Sequence, residues 1–510
     1  MKGKKIGMKN QLKAGVLLSY LSTAISIVIQ LIYMPVMIRL LGQSEYGLYT
    51  LVSGVVSYLS LFSLGFGGSY LRFFSRYRAQ NDEKGLAELN GMFLLLFSFL
   101  AALAFLCGMI LCNFPTQVFG AKLSEKELKK AQLLMGILVI SISITLVNSI
   151  FDSMIAAHEQ FVYQRIVGLV STIANPFLTL PLLIAGKGSV AIVSVTAYIT
   201  CCSFLLNVWF CLCKLKIKIS FRHLHFRVLK EVSTFSFFLL LNMVIDQINW
   251  NVDKMILSHT NGTKEVAVYG VASQINSLIM TFSTTISSVF SPRVNRIAAE
   301  DPENSSQEFT KLMVKIGRIQ WMVLGLVVSG FVVFGRYFIT NIFAGAQYER
   351  AYDAALFLII PALVPLIQNV GIEIQRALNK HQFRSLIYFA MAVINIFVSI
   401  PLAQHFGAVG TAMGTAISLV VANGFIMNLF YHKALHLNML QFWKEISRCS
   451  KGMILPAISG IVIGMCVKFD TMGKYLLMII IYTVVYCGSI YYFGCNREEK
   501  QLIHGLRAGR

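Results

Sequence analysis

Charge is what this 510-residue chain has least of. Only 13% of its residues are charged and 56% are hydrophobic, where a soluble protein carries about a quarter charged residues. There is no CxxC pair among its ten cysteines and only nine histidines, so neither a zinc site nor a disulfide framework is indicated. Cys107, Cys112, Cys201, Cys202, Cys211, Cys466 and Cys487 lie in or at the ends of apolar runs and read as small apolar helix residues. No HExxH occurs, and AGKGS at 185–189 lacks the spacing of a phosphate-binding loop. No polar stretch is long enough to house an ATPase or a glycosyltransferase domain. These absences exclude metalloenzymes and nucleotide-driven pumps, and leave little room for a glycan polymerase or ligase.

What the chain has instead is a series of long runs that are apolar all round, the pattern of helices surrounded by lipid or by other helices. A helix crossing the bilayer core needs about 20 such residues. That template predicts an all-α polytopic membrane protein with fourteen spans near 14–38, 46–68, 91–113, 132–157, 166–185, 190–213, 232–258, 267–290, 316–343, 353–375, 386–404, 409–430, 453–469 and 475–494. The basic start MKGKKIGMKNQLK precedes a run too long for a signal peptide and reads as a retained first span.

The formal net charge is +21, but the basic residues gather in short segments between the apolar runs. The positive-inside rule accounts for them better than nucleic acid does. With the N-terminus inside, 32 of the 44 Lys and Arg fall in cytoplasmic segments, 11 fall outside, and Lys254 lies within a span. Both termini are expected in the cytoplasm. The outer segment 114–130 breaks the pattern with Lys122, Lys126, Lys129 and Lys130, accompanied by Glu125 and Glu127, and predicts a short amphipathic helix at the outer interface.

The basic segment 214–231 divides the chain into an N-terminal lobe (1–213), a linker, a C-terminal lobe (232–430) and a final pair of spans with a tail (431–510). The two lobes repeat one another. Gly42, Glu45 and Tyr49 recur 220 residues later as Gly262, Glu265 and Tyr269, and Asn175 and Pro181 recur as Asn395 and Pro401. With a drift of one residue, Asp152 matches Glu373 and Arg72 matches Arg293. Six spans per copy make the repeats parallel, related by an axis along the membrane normal. Two such lobes around a central cavity suit alternating access.

Ionisable groups within spans are costly unless paired or facing water. Asn242, Asp246, Asn249 and Asp253 in span 7 are spaced 4, 3 and 4 residues apart and share one helical face. They are candidates to line a polar cavity or to hold a coupling cation, proton or sodium; an interhelical hydrogen-bond stripe is the plainer alternative. Asn148 and Asp152 in span 4 and Asn369 and Glu373 in span 10 have the same spacing and suggest a pseudo-symmetric acidic pair. Alternatively, Glu373 pairs with Arg376 or Arg384. Arg72 and Arg76 end span 2, and Arg293 and Arg296 end span 8. Guanidinium groups there suit an anion through bidentate hydrogen bonds, although positive-inside anchoring alone would also place them. Lys254 beside Asp253 reads as a local pair or a snorkelling side chain.

RLLGQSEYGLYTL after span 1, SLGFGGSYLRFFSRY at the end of span 2 and NVDKMILSHTNGTKEVAVYG at the end of span 7 resemble the polysaccharide transporter branch of the multidrug/oligosaccharidyl-lipid/polysaccharide exporter superfamily. The resemblance implies a MATE-like V of two six-helix lobes. It also implies a lipid-linked oligosaccharide on an undecaprenyl diphosphate carrier, flipped across the bacterial inner membrane for surface polysaccharide assembly, with assembly enzymes as partners and no cofactor. On that implication Arg72, Arg76, Arg293 and Arg296 would capture the diphosphate, and the polar residues of spans 4, 7 and 10 would contact sugar hydroxyls or a coupling cation. Two neighbours in the superfamily remain open: cation-coupled drug antiporters, which share the two-lobe plan, and lipid II flippases. The lipid II branch resembles itself in a cavity arginine within span 1, and span 1 here has no basic residue at its middle.

Overall fold

The computed structural model describes residues 2–63, 66–222, 226–300, 305–378, 380 and 382–501; the side chains of 2–17, 19, 20, 226–239, 241, 242 and 288 fall outside the description. Within these residues all regular structure is helical. The chain divides into two compact units, Met1–Ala267 and Val268–Arg510. The first holds α1 (Lys2–Leu41), α2 (Gln43–Ser57), α3 (Phe66–Ala79), α4 (Glu83–Cys112), α5 (Pro115–Phe119), α6 (Glu125–Ala157), α7 (Phe161–Ile184), α8 (Gly188–Trp209) and α9 (Phe226–Thr260). Helix α10 (Thr263–Ser288) starts in the first unit and runs into the second. The second continues with α11 (Ser291–Glu300), α12 (Ser306–Tyr337), α13 (Arg350–Ile367), α14 (Asn369–Ala377), α15 (Gln382–Phe406) and α16 (Ala408–Leu419). It ends with α17 (Met427–Lys433), α18 (Met439–Ser450), α19 (Ile454–Cys466) and α20 (Met472–Ser489).

Thirteen helices among the described residues are long and apolar enough to cross a membrane. Helix α9, the expected seventh span, is not among the thirteen; its more apolar half lies where side chains are not described.

The amphipathic interface helix expected over 114–130 does not form. Its place is taken by the five-residue α5 and by the first turns of α6. The reason is local. Ser124 accepts from the backbone N–H of Glu127, and the Glu127 carboxylate accepts from the backbone N–H of Ser124, a reciprocal capping box that starts the long helix at Glu125. Span 2 also departs from a single helix: α2 gives way to a tighter 3-10 stretch over Tyr58–Ser63 before α3 begins. Leu64 and Gly65, between the two, lie outside the described residues.

The core of the first unit is aromatic. Tyr70 and Phe74 of α3, Phe93 and Phe97 of α4, and Phe151 and Met154 of α6 are buried together. A deep polar tie within it is satisfied: the Tyr70 hydroxyl lies 2.7 Å from Asn90 Oδ1, and Asn90 Nδ2 donates to the Lys218 carbonyl at 3.0 Å. That bond, with Ser220 N–H on the Ala87 carbonyl at 2.9 Å, lays the first part of the basic linker along α4. Gly91 makes this possible, since a Cβ there would sit 2.0 Å from the Ser220 carbonyl oxygen.

The repeat survives into hydrogen bonding. In the α7–α8 hairpin Asn175 Nδ2 lies 3.3 Å from Thr196 Oγ1 and Thr179 Oγ1 lies 3.4 Å from Asn175 Oδ1. In the α15–α16 hairpin Asn395 Nδ2 lies 3.4 Å from Thr415 Oγ1 and Ser399 Oγ lies 3.0 Å from Asn395 Oδ1. Gly42 before α2 and Gly262 before α10 both have positive φ, 75° and 88°, and each is followed in the next turn by an acid, Glu45 or Glu265.

Candidate functional site

Helix α9 carries a polar face besides the one the spacing of acids singles out, and this second face is bonded to a neighbouring helix. Gln247, Asn251 and Lys254 meet α2 and the 3-10 stretch after it. Asn251 Nδ2 donates to Ser57 Oγ at 2.9 Å and to Gln247 Oε1 at 2.8 Å, and Gln247 Nε2 reaches Ser60 Oγ at 3.4 Å. Lys254 Nζ lies 3.4 Å from Asn251 Oδ1. The close approach rests on Gly54, whose Cβ would stand 3.1 Å from Asn251 Oδ1.

On the other face the side chain of Asn242 lies outside the described residues. Asp246 is exposed, Asn249 is partly buried, and Asp253 is buried at 1% exposure. The four therefore do not share one environment. An exposed carboxylate at the depth of Asp246 needs water or a partner around it rather than lipid.

The two acids matched by the repeat also differ. Asp152 is held by amides: Asn207 Nδ2 donates to its Oδ1 at 2.9 Å and Asn148 Nδ2 to its Oδ2 at 3.3 Å. Glu373 has an ion pair with Arg376 at 3.0 Å and accepts from Ser291 Oγ at 3.0 Å, the alternative that sequence spacing had left open. Asn369, its helical neighbour, turns instead to Ser283 Oγ at 2.9 Å, beside the fully buried Gln320.

Arg72 and Arg76 are exposed on one face of α3, and Arg293 and Arg296 are exposed on α11. Arg296 pairs with Glu300 at 3.3 Å. Arg72, Arg76 and Arg293 carry no ion pair among the described residues.

A further cluster at the starts of four helices escaped the sequence reading. Glu45 Oε1 accepts from Lys130 Nζ at 2.5 Å and from Ser189 Oγ at 2.8 Å. Glu127 Oε1 accepts from Ser44 Oγ at 2.6 Å and Thr263 Oγ1 at 2.8 Å. The two carboxylates thereby tie the first turns of α2, α6, α8 and α10, and they line a cavity of about 420 Å³ with Gln43 and Lys126. The signal available in the sequence was the Ser124-x-x-Glu127 box. The missed residues within spans, Gln247, Asn251 and Asn207, were also readable as polar residues in apolar runs, the first two at helical spacing from Lys254.

Comparison with known proteins bears on what these helices belong to. The profile of the family described as polysaccharide biosynthesis protein matches residues 12–298, more than half of the chain, and that of the MatE family matches residues 239–402. A Shigella flexneri protein named as an O-antigen transporter is 21% identical over 386 residues, 75% of this chain and 89% of that protein. Among solved structures, a lipid II flippase in an inward closed conformation superposes with a TM-score of 0.71 at 18% identity, covering 93% of this chain and 98% of its own. An inward-facing multidrug resistance MATE transporter does so with a TM-score of 0.63 at 13% identity, covering 84% and 98%. A duplicated set of apolar helices and a family match running from the first span to beyond α10 lead to one assignment: the chain belongs to the polysaccharide biosynthesis protein family, a transporter family within the multidrug/oligosaccharidyl-lipid/polysaccharide exporter superfamily.

Proposed function

We propose that this protein flips an undecaprenyl-diphosphate-linked oligosaccharide repeat unit across the bacterial inner membrane by alternating access between two six-helix lobes. The observation that carries the reading is the match of residues 12–298 to the polysaccharide biosynthesis protein family. The chemistry of the residues supports it. Exposed Arg72, Arg76 and Arg293, which carry no ion pair among the described residues, supply fork-shaped donors suited to a diphosphate. Arg296 adds a fourth guanidinium from within its pair with Glu300. Asn249 and Asp246, with Asn242 and Asp253 on the same helix, supply hydrogen-bonding groups suited to sugar hydroxyls. The arginine-bearing ends are cytoplasmic by the distribution of Lys and Arg, so the diphosphate is captured inside while the polyprenyl tail stays in the bilayer.

The test is translocation of a fluorescent undecaprenyl-diphosphate glycan in proteoliposomes. The wild-type chain is expected to accelerate it, and Arg72→Ala/Arg293→Ala to slow it at least tenfold. The MatE match over residues 239–402 favours a second reading, a cation-coupled small-molecule antiporter. No glycan translocation, together with cation-coupled drug efflux abolished by Asp246→Asn, would replace the first reading with the second.

A further inference from the structure

The apolar stretch that begins with α8 closes at Lys214, after a π turn over Phe210–Lys214. Leu205, Trp209 and Leu212 along it are exposed, at the spacing of one helical face. From there the chain runs on as Lys214, Leu215, Lys216, Ile217 and Lys218, and its side chains alternate. The three lysines are exposed, whereas Leu215 and Ile217 are partly buried against the aromatic core of the first unit. Four hydrogen bonds hold this run in place. Leu215 N–H donates to the Phe210 carbonyl at 3.0 Å, Ile217 N–H to the Cys211 carbonyl at 3.1 Å and Ser220 N–H to the Ala87 carbonyl at 2.9 Å. The Lys218 carbonyl accepts from Asn90 Nδ2 at 3.0 Å. The basic row is a fixed surface, not a loose loop.

Two features set this row apart from ordinary charge at the end of a span. Lys214 and Lys216 have no ion pair among the described residues. The Lys218 ammonium has Glu83 at 3.1 Å, with the two side chains 76% and 78% exposed, a pair worth little in water. Lys216 moreover has a φ of 51°. A left-handed residue after a helix is ordinarily glycine, because a Cβ is disfavoured there. The chain keeps a long basic side chain at a position where its absence would ease folding. Cations in a row, beside an exposed apolar face, match one surface on both counts: anionic headgroups above acyl chains. We propose that Lys214, Lys216 and Lys218 form a docking row for the phosphates of anionic phospholipids, with Lys218 exchanging Glu83 for a lipid phosphate. The distribution of Lys and Arg makes the leaflet the cytoplasmic one. Arg165 adds an exposed cation at the start of α7, where Tyr163 stacks on Phe210 at 3.7 Å. Lipid on the lysines and Asn90 beneath them hold the same short run from opposite sides, so anionic lipid favours the linker docked on α4.

The test uses the full chain in vesicles of phosphatidylcholine and phosphatidylglycerol, with bromine on the acyl chains of one lipid or the other to quench tryptophan. Trp209 lies five residues before Lys214, and the difference between the chain and its Trp209→Phe variant isolates its signal. Phosphatidylglycerol is expected to be enriched about threefold or more over phosphatidylcholine at Trp209. Lys214→Gln/Lys216→Gln should abolish the enrichment, and Lys444→Gln/Lys451→Gln, two exposed lysines of the second unit, should leave it unchanged. Lys216→Gly should melt at or above the wild type, since glycine accepts the left-handed backbone, and still lose much of the enrichment. Equal quenching by the two lipids in the wild type overturns the proposal. So does an enrichment that both double variants remove alike, which would reflect net charge rather than this row. Reversal by inorganic phosphate at constant ionic strength overturns it as well, by making the row a site for a free anion. No glycan is present, so the outcome is independent of the flippase reading.

Discussion

Arg318 and Glu499, 181 residues apart, meet face to face: Nε lies 2.7 Å from one carboxylate oxygen and Nη2 2.7 Å from the other. The remaining guanidinium donors go to the Gly494 and Glu445 carbonyls and to the Glu445 carboxylate. Arg318 is 2% exposed and Glu499 8%, so neither charge has water to fall back on. This pair fastens the segment after α20 to α12 and α18.

Removing one partner strands the other. Arg318→Met is expected to destabilise the protein by about 3–5 kcal/mol, read as lost melting temperature in detergent. Arg318→Met/Glu499→Leu should recover a large part of that loss, because the double variant buries no unpaired charge. Equal losses in the single and double variants would show that packing, not charge, holds the segment.

Glu127 accepts from Ser44, Thr263 and the Ser124 backbone, all through one carboxylate. Glu127→Ala should cost about 2 kcal/mol, since hydrogen bonds to a charged group are each worth about 1.5–3 and part is regained from water. Lys130→Ala, which removes a partly exposed partner of Glu45, should cost under about 1 kcal/mol. Chemical denaturation of the three proteins in mixed micelles gives the order directly.

Gly47 sits where a Cβ would be 1.9 Å from the Thr263 carbonyl oxygen, a backbone atom that cannot turn aside. Gly47→Val is expected to force α2 away from the start of α10 and to cost about 1–3 kcal/mol. Gly136→Val, at a position with open space around the Cβ, is the control and should melt close to the wild type.

His158 follows α6, its ring against Phe74 and its Nδ1 on the Met154 carbonyl at 2.8 Å. Burial, reinforced by the nearby Arg78 guanidinium, holds its pKa below the ordinary 6.5 despite that hydrogen bond. The unfolded chain therefore binds the proton first. This contribution to stability is complete above about pH 6.5 and is lost as pH falls from there through the folded value. Melting temperature should drop on acidification more steeply in the wild type than in His158→Gln; parallel curves would remove His158 as the source.

How much of this could be read from residues alone differs by kind. Apolar runs located thirteen of the fourteen expected spans as helices long and apolar enough to cross, because lipid leaves a helix no alternative. The repeat was readable at Asn175 and Asn395, since each copy bonds a local partner, Thr196 or Thr415, at nearly the same spacing. Asp152 and Glu373 looked equivalent and are not. The partner of Glu373 lies one turn away in its own helix, where spacing reveals it, whereas Asn207 reaches Asp152 from a helix 55 residues on. The Glu45 and Glu127 cluster was hidden for the same reason. The charges at 122–130 were read as an amphipathic surface because nothing local tells that Glu127 has Ser44 and Thr263 above it.

The docking of Lys218 and Ser220 on α4 turns the basic linker into a short leash. From Ser220 to the start of α9 at Phe226 the chain has six residues to pay out, about 20 Å at full stretch. Any rearrangement that carries the head of α9 farther than this from α4 must first break the bonds of Lys218 and Ser220 to that helix. The travel of that helix is thus set by the six free residues and by two hydrogen bonds, one from the Asn90 side chain and one between backbones, that keep the rest of the linker from joining them.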